Sequence, residues 1–299
     1  MEVLALIPAR SGSKSIKDKN IRIVGGKPML VHSVEHALAS KFVTRVILST
    51  DSEEYARIGR EAGAEVPFIR PAEFAADDSL DIDVFEHALN WLKENEGYEP
   101  DIIVHLRPTF PTRDPDDIDK MVDLILDHPE ADCVRSVAEA KETPFKMWFV
   151  DRGDPSDGDF EAPERMSVSE SMTVSESITT PESMAAPESM TAQESGPSWG
   201  AGKEEKQPAG SEGQADELGH ELGIIKPVVM LPGLEACSMP RQALPKVYLQ
   251  NACIDVVRTE TITEKHSMTG DMVLGYLMKD DCDIDYEEDL KRAEEILSK

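Results

Sequence analysis

The sequence predicts an α/β fold: a mostly parallel sheet with helices on both faces. Three features of the sequence support this. Apolar, strand-like runs alternate with segments of helical period, short polar loops follow the strands, and the alternation breaks off at one low-complexity stretch. With 299 residues, 40% of them hydrophobic, the chain can bury a substantial core.

In order, residues 2–7 (EVLALI) read as a short buried strand, and 8–20 as a basic loop. Helical spacing follows over 27–40, with Leu30, Val34 and Leu38 on one face. A second strand covers 43–51. Asp51 with Glu54 reads as a capping box opening the helix at 52–63, which Gly63 can close. A strand near 64–69 (AEVPFI), a helix over 81–95, a strand at 101–106, a helix Pro115–Asp127 and a strand near 132–137 continue the pattern. From 151 to 223 both periodicities vanish into Ser, Glu, Met and Thr repeats. That stretch holds 17 acidic and 4 basic residues, so it carries −13 of the net −28. Such a composition buries too little apolar surface to offset ordering entropy, so a disordered acidic insertion is expected. Structure resumes at 224 (IIKPVVMLP) and ends in a helix, EEDLKRAEEILSK. The expected division is therefore 1–150, 151–223 and 224–299.

An excess of 59 acidic over 31 basic residues disfavours nucleic acid and anionic membranes as partners. No apolar run is long enough to span a bilayer and no secretory leader is evident, so a cytoplasmic location is expected. Cys133, Cys237, Cys253 and Cys282 are widely spaced, which suggests reduced thiols rather than a zinc site or a disulfide framework.

Against this acidity, IPARSGSKSIKDKN (7–20) gathers Arg10, Lys14, Lys17 and Lys19 into one loop. Ser11, Gly12 and Ser13 are small enough to let backbone N–H groups approach a phosphate. The loop is neither GxxxxGK[ST] nor GxGxxG, and solvated surface charge is the competing reading. Near the other end, KDDCDIDYEEDL places Asp283 and Asp285 two residues apart. In extended chain they face one side and can share a magnesium ion, although a helix N-terminus explains acidic residues equally well. Between them, HLRPTFPTRDPDDID carries Arg107, Thr109 and Arg113 on a proline-stiffened loop. In parallel sheets ligands sit beyond the carboxyl ends of the strands, which marks loops 8–20, 49–53, 70–83 and 107–114. His32, His36 and His87 fall in helices and His105 in a strand, all expected to be structural.

These motifs, taken in order, resemble the acylneuraminate cytidylyltransferase family, the CMP-sialic acid synthetases, whose first loop is similar to IPARxGSKxIxxKN. The resemblance continues through STDSEEYARIGREAGAEVPFIRPAEFAADDS, HLRPTFPTR, ETPFKMW, PRQALPKVYLQNACIDVVR, SMTG and CDIDYEEDL, covering nearly everything outside 151–223. It implies a Rossmann-like nucleotidyltransferase that joins CTP to a nonulosonic (sialic-type) acid, releasing pyrophosphate, with Mg2+ required and a small dimerisation element giving a homodimer. It assigns Arg10 and Lys14 to the triphosphate, Lys19 to the α-phosphate, and Ser13 and Asn20 to the phosphates and ribose. Arg70 falls on a nucleotide-side loop, Arg107 and Thr109 on the nucleotide or sugar, and Asp283 with Asp285 on the metal. Lys146, Arg241 and Gln242 would serve the sugar acid. Family members commonly have Gly where Ser11, Ser15 and Ala252 stand, Pro near Lys17, and Gln where Arg107 stands; the last change points to legionaminic- or pseudaminic-type sugars. A nucleotide-sugar glycosyltransferase and an inactive nucleotide-binding scaffold are the alternatives.

Overall fold

The computed structural model describes residues 1–151, 224–227, 236–278 and 283–298; the expected acidic insertion, 151–223, lies outside them apart from Asp151. In chain order the strands are β1 Val3–Pro8, β2 Ile23–Val24, β3 Lys27–Pro28, β4 Arg45–Ser49, β5 Ile102–Leu106, β6 Cys133–Glu139, β7 Trp148–Asp151, β8 Ile224–Pro227, β9 Tyr248–Arg258 and β10 Val273–Leu277. The helices are α1 Met29–Ala39, α2 Glu53–Glu61, α3 Asp81–Glu96, α4 Pro115–Asp127, α5 Thr259–Thr263 and α6 Glu287–Leu297. They divide into two compact units, Met1–Ala140 with Tyr248–Lys299, and Lys141–Val247.

The first unit is built on a six-stranded sheet of order β10-β6-β9-β5-β1-β4. β1 pairs parallel with β4 and β5, and β10 parallel with β6, while β9 runs antiparallel between β5 and β6. β1 and β5 are almost wholly buried, which is why they read as unbroken apolar runs: both faces are covered. Val3, Ala5, Ile7, Val104 and Leu106 pack on one face with side chains of α1, α2 and α4. Leu4, Leu6 and Ile103 pack on the other with α3 and α5. The mostly parallel α/β expectation holds.

Two local expectations are corrected. The strand at AEVPFI reduces to a single parallel bridge, Ile47↔Glu65; Pro67 has no N–H to extend the ladder. The Asp51/Glu54 capping box is absent: Ser52 is the N-cap of α2, its Oγ accepting from the Tyr55 N–H at 3.4 Å. Asp51 is thereby left for another task. By contrast α4 starts as its sequence suggests, with Asp114 capping the Asp116 N–H at 3.0 Å and Pro115 in the first turn.

β9 pairs with β6 through a register irregularity opposite Arg135 to Val137. Ala252 adopts φ 56° there, the left-handed region that favours the glycine expected at this position. The Asn251 Oδ1 accepts from Ser136 Oγ at 2.6 Å and secures the bend. In the second unit, β7 and β8 form an antiparallel pair, and Phe145, Ala236 and Leu244 share a small apolar cluster.

Candidate active site

β1, β4 and β5 run in the same direction, so the loops that follow them leave the sheet on one edge. On that edge lies a cleft of about 490 Å³. Arg10, Ser13, Lys14, Lys19 and Asn20 of the first loop line it, together with Arg70, Arg107, Thr109 and Asp285. Three of the four loops marked in the sequence thus meet there, and the carboxy-terminal motif joins them.

An apolar contact brings the two ends of the chain together. Ile16 of the basic loop, Val24 and Met29 form one buried cluster with Ile284, Leu290 and Ala293. Burying one isoleucine side chain contributes about 1.5–3 kcal/mol, more than the exposed charges beside it can. Ile284 points into this cluster, and its flanking aspartates are turned the other way by strand-like alternation. Lys19 Nζ then donates to Asp285 Oδ1 and to the Ile284 carbonyl, both at 3.0 Å. The Ile284 N–H donates to the Thr109 carbonyl at 2.9 Å, which docks the RPT loop onto the same segment.

Arg10, Lys14, Lys19 and Arg107 are each met by a carboxylate. Asp77 accepts from Arg10 Nη1 at 2.7 Å and pairs with Lys14 Nζ; these hydrogen bonds, from Lys14 first and then Arg10, hold its carboxyl below the usual range. Arg107 donates to Asp81 at 2.8 Å and to Asp255 at 3.3 Å. Arg70 is buried, and its guanidinium donates to the carbonyls of Ser49 at 2.8 Å and Phe74 at 3.3 Å. Burial pulls its pKa down to about 10. Arg70 therefore braces the loop behind the cleft as well as lining it. Asn20 is buried and donates to the Arg10 carbonyl at 3.0 Å, while the Ser13 N–H closes a tight turn to the Ser11 carbonyl at 3.1 Å. Lys17 is exposed and is not among the lining residues.

Asp51 is the residue that sequence reasoning assigned elsewhere. Its carboxylate accepts from the Ser11 N–H at 2.8 Å and the Ser11 Oγ at 2.7 Å, tying the end of β4 to the basic loop. A serine where glycine is common thus gains a partner. Asp77, Asp81 and Asp255 were also missed; only the strand-end position of Asp51 gave any signal. His105, expected to be purely structural, is fully buried in β5 and also lines the cleft. Arg113 proves structural, donating to the carbonyls of Arg107 at 2.9 Å and Cys253 at 2.8 Å.

Asp283 is partly buried, and its Oδ1 has no hydrogen-bond partner among the described residues. Burial first, then the charge of Asp285, raises its pKa against an opposing hydrogen bond from Thr109. A buried, unpartnered carboxylate oxygen beside a second carboxylate fits a hard cation. Among the described residues no group of three or more His, Cys, Asp or Glu side chains could hold a metal alone, so this pair would need ligand oxygens or water to complete a shell.

Lys146, Arg241 and Gln242 belong to the second unit. There Lys146 Nζ lies 3.4 Å from the Cys237 carbonyl, and Arg241 donates to the Lys141 carbonyl at 3.0 Å and pairs with Glu142.

A mostly parallel sheet whose strand ends carry a cation-rich cleft, with Asp285 on its wall, defines an α/β protein with a site suited to an anion. The cytidylyltransferase family model matches residues 4–185, and the chain belongs to that family. It is 36% identical over 141 residues to N-acylneuraminate cytidylyltransferase of Escherichia coli O18:K1:H7, covering 47% of this chain and 32% of that protein. It is 36% identical over 126 residues to CMP-N,N'-diacetyllegionaminic acid synthase of Legionella pneumophila, covering 42% and 53%. The chain thus spans about a third and about half of the length of these two relatives. Among solved structures, CMP:2-keto-3-deoxy-manno-octonic acid synthetase complexed with CTP superposes over 100% of this chain and 99% of its own, with TM-score 0.57 and 12% identity, a likeness of fold.

Proposed function

We propose that the protein transfers the cytidylyl group of CTP to a nonulosonic, sialic-type acid, giving the CMP-sugar and pyrophosphate. The observation that carries this reading is the 3.0 Å approach of Lys19 to Asp285 on a cleft that also holds Arg10, Lys14, Arg70 and Arg107. A triphosphate requires convergent cations, and transfer requires positive charge where it builds up in the transition state. In this reading Arg10 and Lys14 exchange Asp77 for the triphosphate, and Ser13 and Asn20 shape the turn around it. Lys19 meets the non-bridging oxygens of the α-phosphate. The sugar hydroxyl oxygen bonds to the α-phosphorus as the bond to the bridging oxygen breaks and pyrophosphate leaves; the hydroxyl proton passes to solvent water. Arg107 and Thr109 orient the nucleotide or the sugar.

Asp283 and Asp285 would hold magnesium, which would supply positive charge for the departing pyrophosphate. Lys146, Arg241 and Gln242 serve the sugar carboxylate, an acceptor suited to Lys and Arg, in a homodimeric enzyme. We place the enzyme in the cytoplasm; no helix among the described residues is long and apolar enough to cross a membrane.

The test is pyrophosphate release with CTP, magnesium and a panel of nonulosonic acids. Release that needs both CTP and one of the acids is expected. Silence with every acid, or release from CTP alone, overturns the reading.

A further inference from the structure

A polar row crosses three neighbouring strands in register. Asp255 on β9 faces His105 on β5 to one side and Arg135 on β6 to the other. The next row on the same face, Ile103, Val257 and Cys133, is apolar and buried in the α3-side core. A carboxylate on a central strand of a covered sheet carries a large desolvation cost that only close cations offset. Asp255 is 1% exposed. Its Oδ1 accepts from Arg135 Nε at 2.7 Å and its Oδ2 from Arg107 Nη1 at 3.3 Å. His105 Nδ1 stands 3.6 Å from Oδ2, beyond good hydrogen-bonding distance. Its ring packs edge-on against Phe85, with centroids 4.7 Å apart. Burial, then the Arg107 charge, lowers the His105 pKa against the opposing pull of Asp255, and the two arginines are the cations within hydrogen-bonding distance of the carboxylate.

The main chain of Arg107 is fixed independently, its carbonyl accepting from Arg113 Nη2 at 2.9 Å and Ser33 Oγ at 3.2 Å. Where the guanidinium aims is therefore set by its own carboxylate partners, and these differ in kind. The side chain of Asp81 is 47% exposed and that of Asp255 2%. An exposed pair is readily exchanged for a ligand anion, whereas releasing the buried one would strip Oδ2 of a carboxylate inside the protein of its arginine and leave Arg135 on Oδ1 to offset the charge. Asp255 itself is not among the residues lining the cleft; of its neighbours that do, Arg107 and His105, only Arg107 reaches it within hydrogen-bonding distance, so an effect on a ligand passes chiefly through Arg107.

We infer that Asp255 is a positioning residue, anchoring one amine of Arg107 while Asp81 yields the other to an anionic oxygen of the substrate. This rests on the cytidylyl-transfer reading. The anionic oxygen belongs to a phosphate or to the sugar carboxylate, and the substrate whose KM rises on mutation identifies which.

The experiment measures pyrophosphate release for wild type, Asp255→Asn, Arg107→Gln and the double variant, with melting temperatures alongside. Asp255→Asn is expected to lower kcat/KM about tenfold in the wild-type background and by less than about twofold once Arg107 is gone. Arg107→Lys keeps the charge but cannot span two carboxylates, and is expected to lose as much activity as Arg107→Gln. Equal losses from Asp255→Asn in both backgrounds, or wild-type turnover in Arg107→Lys, overturn the inference while leaving the activity standing. Should Asp255→Asn fail to fold, the Arg107→Lys result decides alone. A wild-type protein silent with every acid overturns the activity and the inference with it.

Discussion

Two charged clusters border the same sheet, and they are built differently. In the cleft, Asp77 and Asp285, with side chains 44% and 60% exposed, hold Arg10, Lys14 and Lys19 through side-chain contacts. At the start of β6, Asp132 accepts from Lys265 Nζ at 2.9 Å and also from the backbone N–H groups of Asp271 at 2.8 Å and Met272 at 3.1 Å. Gly270 closes this corner at φ 66°, and a Cβ there would lie 2.5 Å from the Asp132 side chain. The difference lies in where the donors come from. Backbone donors cannot be moved without unfolding the corner, whereas exposed side-chain pairs can be exchanged for a ligand. The second cluster is architecture, and the first is a set of exchangeable pairs.

The largest expected effect separates them on the cleft side. Lys19→Ala should lower turnover by about a hundredfold or more, about 3 kcal/mol of transition-state stabilisation, with little change in melting temperature. Near-normal pyrophosphate release from a normally folded variant would remove Lys19 from the mechanism. On the other side, Gly270→Ala should cost about 2–3 kcal/mol of stability, from left-handed backbone strain together with the clash, as read by denaturant unfolding. Its turnover per folded molecule should stay unchanged; a fall in turnover at full stability would erase the contrast.

The Asp132 corner should also respond to acid. Lys265 first, then the backbone donors, pull the Asp132 carboxyl from 3.8 down to about 2. Its stabilisation is therefore complete above the unfolded value and lost as pH falls from about 4 towards 2. Unfolding curves of Asp132→Asn should lack that part of the slope; an unaltered slope would mean that other carboxylates carry it. A smaller effect is expected from Asp77→Asn. Freeing Arg10 and Lys14 should tighten CTP binding about threefold by calorimetry, because an exposed pair competes only weakly. Weaker binding would show that Asp77 assists the nucleotide instead of competing with it. Smallest of all, Ala252→Gly should stabilise the protein by about 1 kcal/mol by relieving the left-handed strain at φ 56°. Destabilisation in a thermal melt would mean that the bend depends on the alanine methyl.

Much of this was legible from residue patterns. β1, β4, β5 and β6 and five of the helices follow periodicity and punctuation, because burial on both faces leaves an apolar signature. β9 was not legible, since Asn251 and Asp255 interrupt its apolar run. Both are buried and satisfied by partners more than a hundred residues away, Ser136 and Arg135 for instance. β10 is an edge strand with alternating exposure, too short and glycine-broken to announce itself. In the site, the cations were visible because they are rare in an acidic chain. Apart from Asp285, marked by its spacing from Asp283, their carboxylate partners were not: one aspartate among many carries no local mark, and only the loop geometry selects Asp51, Asp77 and Asp81.

The meeting of Lys19 with Asp285 joins positions 266 residues apart. A ribosome must therefore pass residue 285 before Lys19 can meet this partner, long after the Asp77 that Arg10 and Lys14 meet has been made. A chain cut short ahead of Asp283 would keep the basic loop and lose the carboxylate that Lys19 meets.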